Sequence, residues 1–99
     1  MMDRQKALAM MKARRGDSTL ILFHNGNSFE AYGTDAETIS KIINIKTIIE
    51  DGLMIISFKQ ERLDDIYNLI LDAGHNVCIS EMRDESGNFI INVANDENG

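Results

Sequence analysis

The chain is organised around the stretch Thr19-Leu-Ile-Leu-Phe-His-Asn-Gly-Asn-Ser-Phe-Glu-Ala-Tyr32. Two runs with high β-propensity flank its central Asn25-Gly26 dipeptide. This dipeptide favours a two-residue type I′ turn, in which both central residues need a positive φ. The stretch therefore predicts a β-hairpin that turns at Asn25-Gly26.

One acidic side chain lies in the middle of this otherwise apolar hairpin. Side chains alternate along a strand, so Glu30 shares a face with Ser28, whereas Phe29 points to the other face. A turn at Asn25-Gly26 would place Glu30 opposite Ile21, which cannot neutralise it. Glu30 is therefore the first candidate for a functional residue, and the alternative is a carboxylate that simply faces solvent.

The remaining pattern predicts three helices and four more strands. The helices are expected over residues 3–15, 34–44 and 60–73, and the strands over 46–50, 53–58, 76–82 and 89–93, with turns at Asp51-Gly52 and 84–88. This order, α-β-β-α-β-β-α-β-β, predicts an α/β (α+β) fold in which a mixed sheet of about six strands packs against the helices. Residues 1–94 are expected to form one domain, and residues 95–99 to fray.

The spacing of polar and apolar residues predicts where the helices begin and which of their faces are buried. Capping boxes are predicted for Thr34 with Glu37 and for Ser57 with Gln60. The strand at 76–82 is predicted to be buried through residues 77–79. The expected core positions on the helices are Ala7, Leu8, Met11, Ala36, Ile39, Ile43, Leu63, Ile66, Tyr67 and Ile70, with the stems of Arg4 and Arg15.

The net charge of −6 hides an asymmetry. Residues 1–15 carry five basic side chains and one acid, a net of +4, whereas the remainder carries five bases and fifteen acids, a net of −10. A basic arm could bind phosphate, but the acidic remainder would repel a nucleic acid at long range. Lys12, Arg14 and Arg15 are the candidate phosphate contacts, although cations in the last turn of a helix also complement its dipole.

Several function classes lack their sequence patterns. The single cysteine, Cys78, excludes an internal disulfide, and neither His24 nor His75 has a second ligand at metal-binding spacing. No GxxxxGK[ST] phosphate loop, nuclease motif or membrane-length apolar run is present. We therefore expect no enzyme activity, no cofactor and no metal, and the cytoplasm is the default location.

Two motifs resemble the first domain of the mismatch-repair MutS family. The segment from Leu20 to Tyr32, followed by Asp35-Ala36, is similar to the family pattern LLFFRMGDFYEMFxxDA. The segment Gly74-His-Asn-Val-Cys-Ile-Ser-Glu81 resembles the family's Gly-x-x-Val-Ala-Ile-Cys-Glu-Gln. The resemblance extends from about Leu8 to Met82 and corresponds to the mismatch-recognition domain alone.

The resemblance implies a DNA partner and particular contact residues. In the family, the Phe of Phe-x-Glu stacks on a mispaired base from the minor groove and the Glu hydrogen-bonds that base. By position the Glu is Glu30, the Phe position is Ser28, and Phe29 falls on the family's Tyr. Losing the stacking ring removes about 1–3 kcal/mol per base from mismatch reading. An isolated acidic copy of this domain is expected to bind duplex or mismatched DNA weakly.

Two further points stay open at this stage. Asn25 and Asn27 could contact a groove, although turn chemistry also accounts for them. The alternative function is a protein-interaction or regulatory domain that kept the fold and lost DNA binding, with a protein partner in a DNA-processing system. A shared face for Lys12, Arg14, Arg15 and Glu30 would favour DNA, and an exposed apolar patch would favour a protein partner.

Overall fold

A computed structural model of the protein describes residues 4–81. These residues form, in chain order, α1 (Arg4–Arg15), β1 (Thr19–Asn25), β2 (Ser28–Tyr32), α2 (Thr34–Ile42), β3 (Thr47–Glu50), β4 (Leu53–Lys59), a 3₁₀ turn (Gln60–Arg62), α3 (Leu63–Asp72) and β5 (Asn76–Ser80). The predicted element order is thus confirmed as far as β5. The predicted turn at 84–88, the strand at 89–93 and the frayed tail at 95–99 lie outside the described residues.

The five described strands form one mixed sheet in the order β3-β4-β2-β1-β5. The pair β1–β5 is parallel, and the other three pairs are antiparallel. The predicted mixed α/β architecture with three helices is therefore confirmed, although five strands are described rather than about six.

The sheet is buried on both faces. One apolar cluster joins it to α2 and α3, and a second joins it to α1. The first cluster is centred on Leu20, Leu22, Phe29, Ala31, Ala36, Ile39, Ile43, Ile56, Phe58, Ile66 and Ile70. The second contains Ala7, Met11, Ile21, Phe23, Tyr32 and Ile55. These two clusters reproduce the alternation that was expected along β2.

The first hairpin turns one residue later than predicted. Asn25 pairs with Ser28, so Gly26 and Asn27 are the central residues of the turn. Gly26 has φ +65°, and Asn27 is not among the non-glycine residues with positive φ. A positive φ at the first central position alone is the sign pattern of a type II′ turn, so the predicted type I′ turn at Asn25-Gly26 is wrong.

The shifted turn also changes the neighbours of Glu30. Glu30 lies opposite Phe23 on β1, not opposite Ile21, and opposite Ser57 on β4. By contrast, the second hairpin turns where it was predicted, because Asp51 (φ +53°) and Gly52 (φ +78°) both take the positive φ of a type I′ turn.

Both predicted capping boxes are wrong. Gly33 is the N-cap of α2, with φ +64°, and Thr34 is already the first helical residue. The N–H of Gly33 donates to the carbonyl of Met54, so this residue turns the chain directly from β2 into α2. At the third helix, Ser57 lies inside β4 and Lys59 is the cap of the 3₁₀ turn, again without a side-chain capping bond.

Some predicted core positions are less buried than their pattern suggested. Val77 and Cys78 are half-buried and Ile79 is exposed, because β5 lies at the margin of the described sheet. Arg15 is exposed rather than packed along its stem. Helical periodicity identifies a face, but the depth of burial depends on what covers that face.

Candidate nucleic-acid interface

An open cleft of about 390 Å³ lies on the face of the sheet that α1 partly covers. Helix α1 packs over β1 and β2, and Arg4 is its first described residue; the cleft extends beyond it over β4 and β3. The cleft is lined by Arg4, Asn25, Ser28, Glu30, Ile48, Glu50, Ile55 and Ser57. Three of the residues predicted from sequence, Asn25, Ser28 and Glu30, therefore meet in one place.

Glu30 is held by two donors from different elements. The Tyr32 hydroxyl donates to Glu30 Oε1 at 2.7 Å, and Arg4 Nε donates to the same oxygen at 3.2 Å. The Glu30 side chain is only 12% exposed, so the interpretation of it as a solvent-facing carboxylate is wrong. Its ionic partner lies 26 residues away in the sequence, which no local pattern could reveal.

Arg4 links the two carboxylates of the cleft. Its Nη1 donates to Glu50 Oε1 at 2.8 Å while its Nε holds Glu30. Burial by itself would lower the pKa of Arg4, but the hydrogen bond and the charge of Glu30 outweigh burial and raise it. The guanidinium therefore stays charged, and one cation with two carboxylates leaves the cleft with a net charge of −1.

Tyr32 closes the inner end of this network. Its ring stacks on Phe23 with centroids 4.8 Å apart, and the Arg4 guanidinium lies 5.7 Å from the ring centroid. Burial, and after it the neighbouring Glu30 carboxylate, raise the pKa of the Tyr32 phenol well above its usual range. The hydroxyl is consequently a permanent donor to Glu30 at any physiological pH.

The two oxygens of Glu30 differ in their hydrogen bonding. Both of its hydrogen bonds reach Oε1, and no bond from another described residue reaches Oε2. Beside it, Ser28 is half-buried on the same face, and Ser57 is exposed across the strand pair. These small polar side chains leave open space above the sheet where a larger residue would fill it.

Phe29 points away from the cleft, as strand alternation requires. It is 4% exposed and belongs to the core beneath α2 and α3. Its ring stacks on His24 at 4.5 Å and on Phe58 at 5.8 Å between centroids. As placed, Phe29 supports the hairpin from below and offers no ring to the cleft.

Lys12 is engaged inside the protein. Its ammonium contacts Asp35 Oδ1 at 2.7 Å and donates to the carbonyls of Asp17 and Thr19. Asp35 is 2% exposed, and its other oxygen accepts the backbone N–H of Ile21 at 3.1 Å. Reasoning from sequence included Asp35 only as part of the Asp35-Ala36 motif, and its partners Lys12 and Ile21 lie 23 and 14 positions away in the chain.

The other candidate cations lie far from the cleft. Arg14 and Arg15 are exposed in the last turn of α1, whereas Arg4 is its first described residue. At 1.5 Å per residue, Arg15 lies about 16 Å along the helix axis from Arg4. Asn27 is exposed in the hairpin turn, and its carbonyl accepts the N–H of Gln60 at 2.9 Å. The structure thus gathers Asn25, Ser28 and Glu30, and it does not add the three basic side chains to them.

Other kinds of site find little support in residues 4–81. No group of three or more His, Cys, Asp or Glu side chains within that range could hold a metal ion. His24 Nδ1 lies 2.6 Å from Glu81 Oε2, which joins the end of β1 to the residue after β5. Within the same range, no helix is long and apolar enough to cross a membrane.

Comparison with known proteins matches the sequence of this chain to one family. Residues 5–92 match the family model described as MutS domain I. The chain is 28% identical over 87 residues to the DNA mismatch repair protein MutS of Thermosipho melanesiensis, covering 83% of this chain and 11% of that protein. It is 31% identical over 67 residues to the same-named protein of Fervidobacterium nodosum, covering 68% of this chain and 8% of that protein. The chain therefore spans only about a tenth of the length of these curated relatives.

Proposed function

The chain belongs to the MutS domain I family, and from this premise we propose that it is a non-catalytic, cytoplasmic DNA-binding module whose contact surface is the cleft beside Ser28 and Glu30. The observation that carries the proposal is the position of Glu30. It occupies the place of the family's base-contacting Glu, lines an open cleft and keeps Oε2 without a donor among the described residues. A carboxylate whose first oxygen is held by fixed donors can accept a hydrogen bond from a base edge at its second oxygen.

Discrimination between paired and mispaired bases is expected to be small. Ser28 takes the place of the stacking Phe, and a hydroxyl cannot wedge between bases. Stacking contributes about 1–3 kcal/mol per base, so its loss removes the larger part of the energy that favours an unstacked site. The remaining preference would rest on Glu30 alone.

The charge distribution predicts weak, salt-dependent binding. The cleft has a net charge of −1, and the whole chain −6. Arg14 and Arg15 are the exposed cations proposed to contact phosphates along the flanking duplex. Two phosphate contacts predict a slope of about −1.8 in a plot of log K against log salt concentration.

The test is fluorescence anisotropy of the purified chain with matched duplex, mismatched duplex and single-stranded oligonucleotides across a salt series. Arg14→Ala/Arg15→Ala should flatten the salt slope towards zero. Lys41→Ala/Arg62→Ala is the matched control, because it removes the same charge from α2 and from the 3₁₀ turn before α3, and α2 and α3 pack on the sheet face opposite α1. Absence of binding to every probe at low salt, or an equal effect in the control, would refute the proposal.

Glu30→Gln separates base contact from phosphate contact. The amide oxygen can still accept from Tyr32, but the carboxylate acceptor at Oε2 is gone. Any mismatch preference should disappear while the salt slope stays near that of the unchanged protein. An unaltered preference in this variant would remove Glu30 from the proposed contact.

A protein-interaction domain is the second candidate, and one observation favours it. Ile48 and Ile49 are 49% and 64% exposed on β3, which forms one edge of the described sheet. Exposed apolar residues on an edge strand are typical of surfaces that pair with another chain. If the anisotropy series detects no DNA binding, this surface becomes the leading functional candidate.

A further inference from the structure

Strand β3 has an exposed edge within the described sheet. It pairs with β4 on one side only and stands first in the strand order. Its two central residues, Ile48 and Ile49, are the most exposed large hydrophobic side chains of the described chain. Edge strands of stable monomers are usually protected by short length, charged side chains, proline or a bulge. Strand β3 has only four residues, but the segment Lys46-Thr47-Ile48-Ile49-Glu50 has no proline and no charge at its centre.

The hairpin geometry determines which backbone groups face outward. In a two-residue hairpin the residues that flank the turn exchange both hydrogen bonds, so Glu50 bonds to Leu53. Because these groups alternate along a strand, the N–H and carbonyl of Ile48 point towards β4, and those of Thr47 and Ile49 point away from it. The carbonyl of Met54, opposite Ile49, independently supports this pattern, because it accepts a hydrogen bond from Gly33 at the end of β2.

The side chains of this edge are complementary to themselves in one antiparallel register. If Ile48 lies opposite Ile48 of a second copy, Thr47 lies opposite Ile49 and Lys46 lies opposite Glu50, each twice. Lys46 is exposed and makes no hydrogen bond or ion pair within the described residues, and the Glu50 side chain is 41% exposed. The register thus pairs opposite charges at both ends of an apolar centre.

The hydrogen-bonding groups of the backbone fit the same register. Thr47 and Ile49 carry the outward N–H and carbonyl groups, and they are the residues that become directly opposed. Two such pairs provide four hydrogen bonds between the copies. A register centred on Ile49 is poorer, because it opposes Ile48 to Glu50 and Thr47 to Asp51, whose φ of +53° is not extended.

From this double match we propose that two copies of the chain associate through β3, with Ile48 on the two-fold axis, into one continuous sheet. The occupant of the edge is a second copy because the charges at its two ends are opposite and correctly spaced for self-pairing. The inference does not depend on DNA binding. The dimer would bring the two clefts next to each other, since Ile48 and Glu50 line the cleft of each copy. The axis is perpendicular to the sheet, so both clefts open on the same face.

The two Ser28–Glu30 strands would then lie close together. Five inter-strand steps separate β2 from β2 of the other copy, which at about 4.8 Å per step gives about 24 Å. The interface is short compared with standard interfaces of about 1,200–2,000 Å². We therefore expect a weak dimer, with a dissociation constant on the order of 100 μM.

The first test is sedimentation equilibrium of the whole chain from about 10 μM to about 2 mM, which brackets that constant. Amide hydrogen exchange at the two ends of this range locates the interface. Exchange at Thr47 and Ile49 should slow as concentration rises, whereas the amides of Ile48 and Glu50, which face β4, should not change. A monomer throughout the range, or protection that does not involve Thr47 and Ile49, overturns the proposal.

A charge exchange tests the register. Lys46→Glu opposes two pairs of carboxylates and Glu50→Lys opposes two pairs of ammonium groups, so each variant alone should dimerise about tenfold or more weakly. An equimolar mixture restores both opposite-charge pairs and should recover the dimer. This register is refuted if either single variant dimerises as tightly as the unchanged chain, or if the mixture dimerises no more tightly than the single variants.

Folding of the variants is checked separately, because Glu50 also contacts Arg4. Far-ultraviolet circular dichroism and thermal unfolding should show each variant folded. Thr47→Pro is the second disruption. It removes an outward N–H, so it should abolish the dimer and leave β3 paired with β4. Should Thr47→Pro be folded and still dimeric, the edge-to-edge interface is wrong.

Discussion

Restoring an aromatic ring at Ser28 gives the sharpest prediction about function. Ser28→Phe places a phenyl ring on the face that carries Glu30, two residues along β2, over a cleft of about 390 Å³. Stacking on one base contributes about 1–3 kcal/mol, which corresponds to about 5- to 150-fold in affinity. In the free protein the ring will already contact part of the neighbouring sheet surface, so a gain of about 5- to 20-fold for mismatched duplex is expected.

The assay is anisotropy with a mismatched duplex and a matched duplex of otherwise identical sequence. Ser28→Leu is the control, because it adds apolar surface at the same position without a π-face. The phenylalanine variant should favour the mismatched duplex, and the leucine variant should bind both duplexes about as the unchanged chain does. Equal gains for both duplexes, or the same gain with leucine, would show that the Ser28 face of the cleft does not read bases.

Three predictions concern the structure that supports this face. Asp35→Ala should lower the free energy of unfolding by about 3–5 kcal/mol, because it leaves the Lys12 ammonium without its buried counter-ion. Urea denaturation measures this change, and a loss below about 1 kcal/mol would contradict the prediction. The raised pKa of Tyr32 means that the folded state holds this proton more tightly than the unfolded state. Stability should therefore be insensitive to Tyr32 below about pH 10 and fall above that value, and a Tyr32→Phe variant with the same decline would contradict this. Gly33→Ala should cost about 1–3 kcal/mol in thermal unfolding, because φ +64° with ψ −134° is a conformation that suits glycine alone; an unchanged midpoint would contradict it.

Most of the architecture could be predicted from local sequence. The alternation in β2 identified Phe29 as the residue facing away from Glu30, and the Asp51-Gly52 turn was placed correctly. The two predicted capping boxes were wrong, and for α2 the reason lies in the backbone conformation. Thr34 had the right spacing to cap α2, but the chain needed a positive φ one residue earlier, at Gly33.

The candidate site was predictable only in part. Ser28, Glu30 and Asn25 could be grouped because they belong to one hairpin, whose side-chain directions follow from a period of two. The one-residue shift of the turn nevertheless gave Glu30 a different opposite neighbour, since Gly26 occupies the first central position rather than the second.

The sequence by itself determined the order of elements, the two apolar faces and the family, because periodicity, turn chemistry and motif spacing act over a few neighbouring residues. Only the tertiary structure decided the chemistry of the site. The Arg4–Glu30 and Lys12–Asp35 pairs join residues 26 and 23 positions apart. Whether a charge is neutralised, buried or left open to a ligand depends on which elements pack over it, and that follows from the folded chain as a whole.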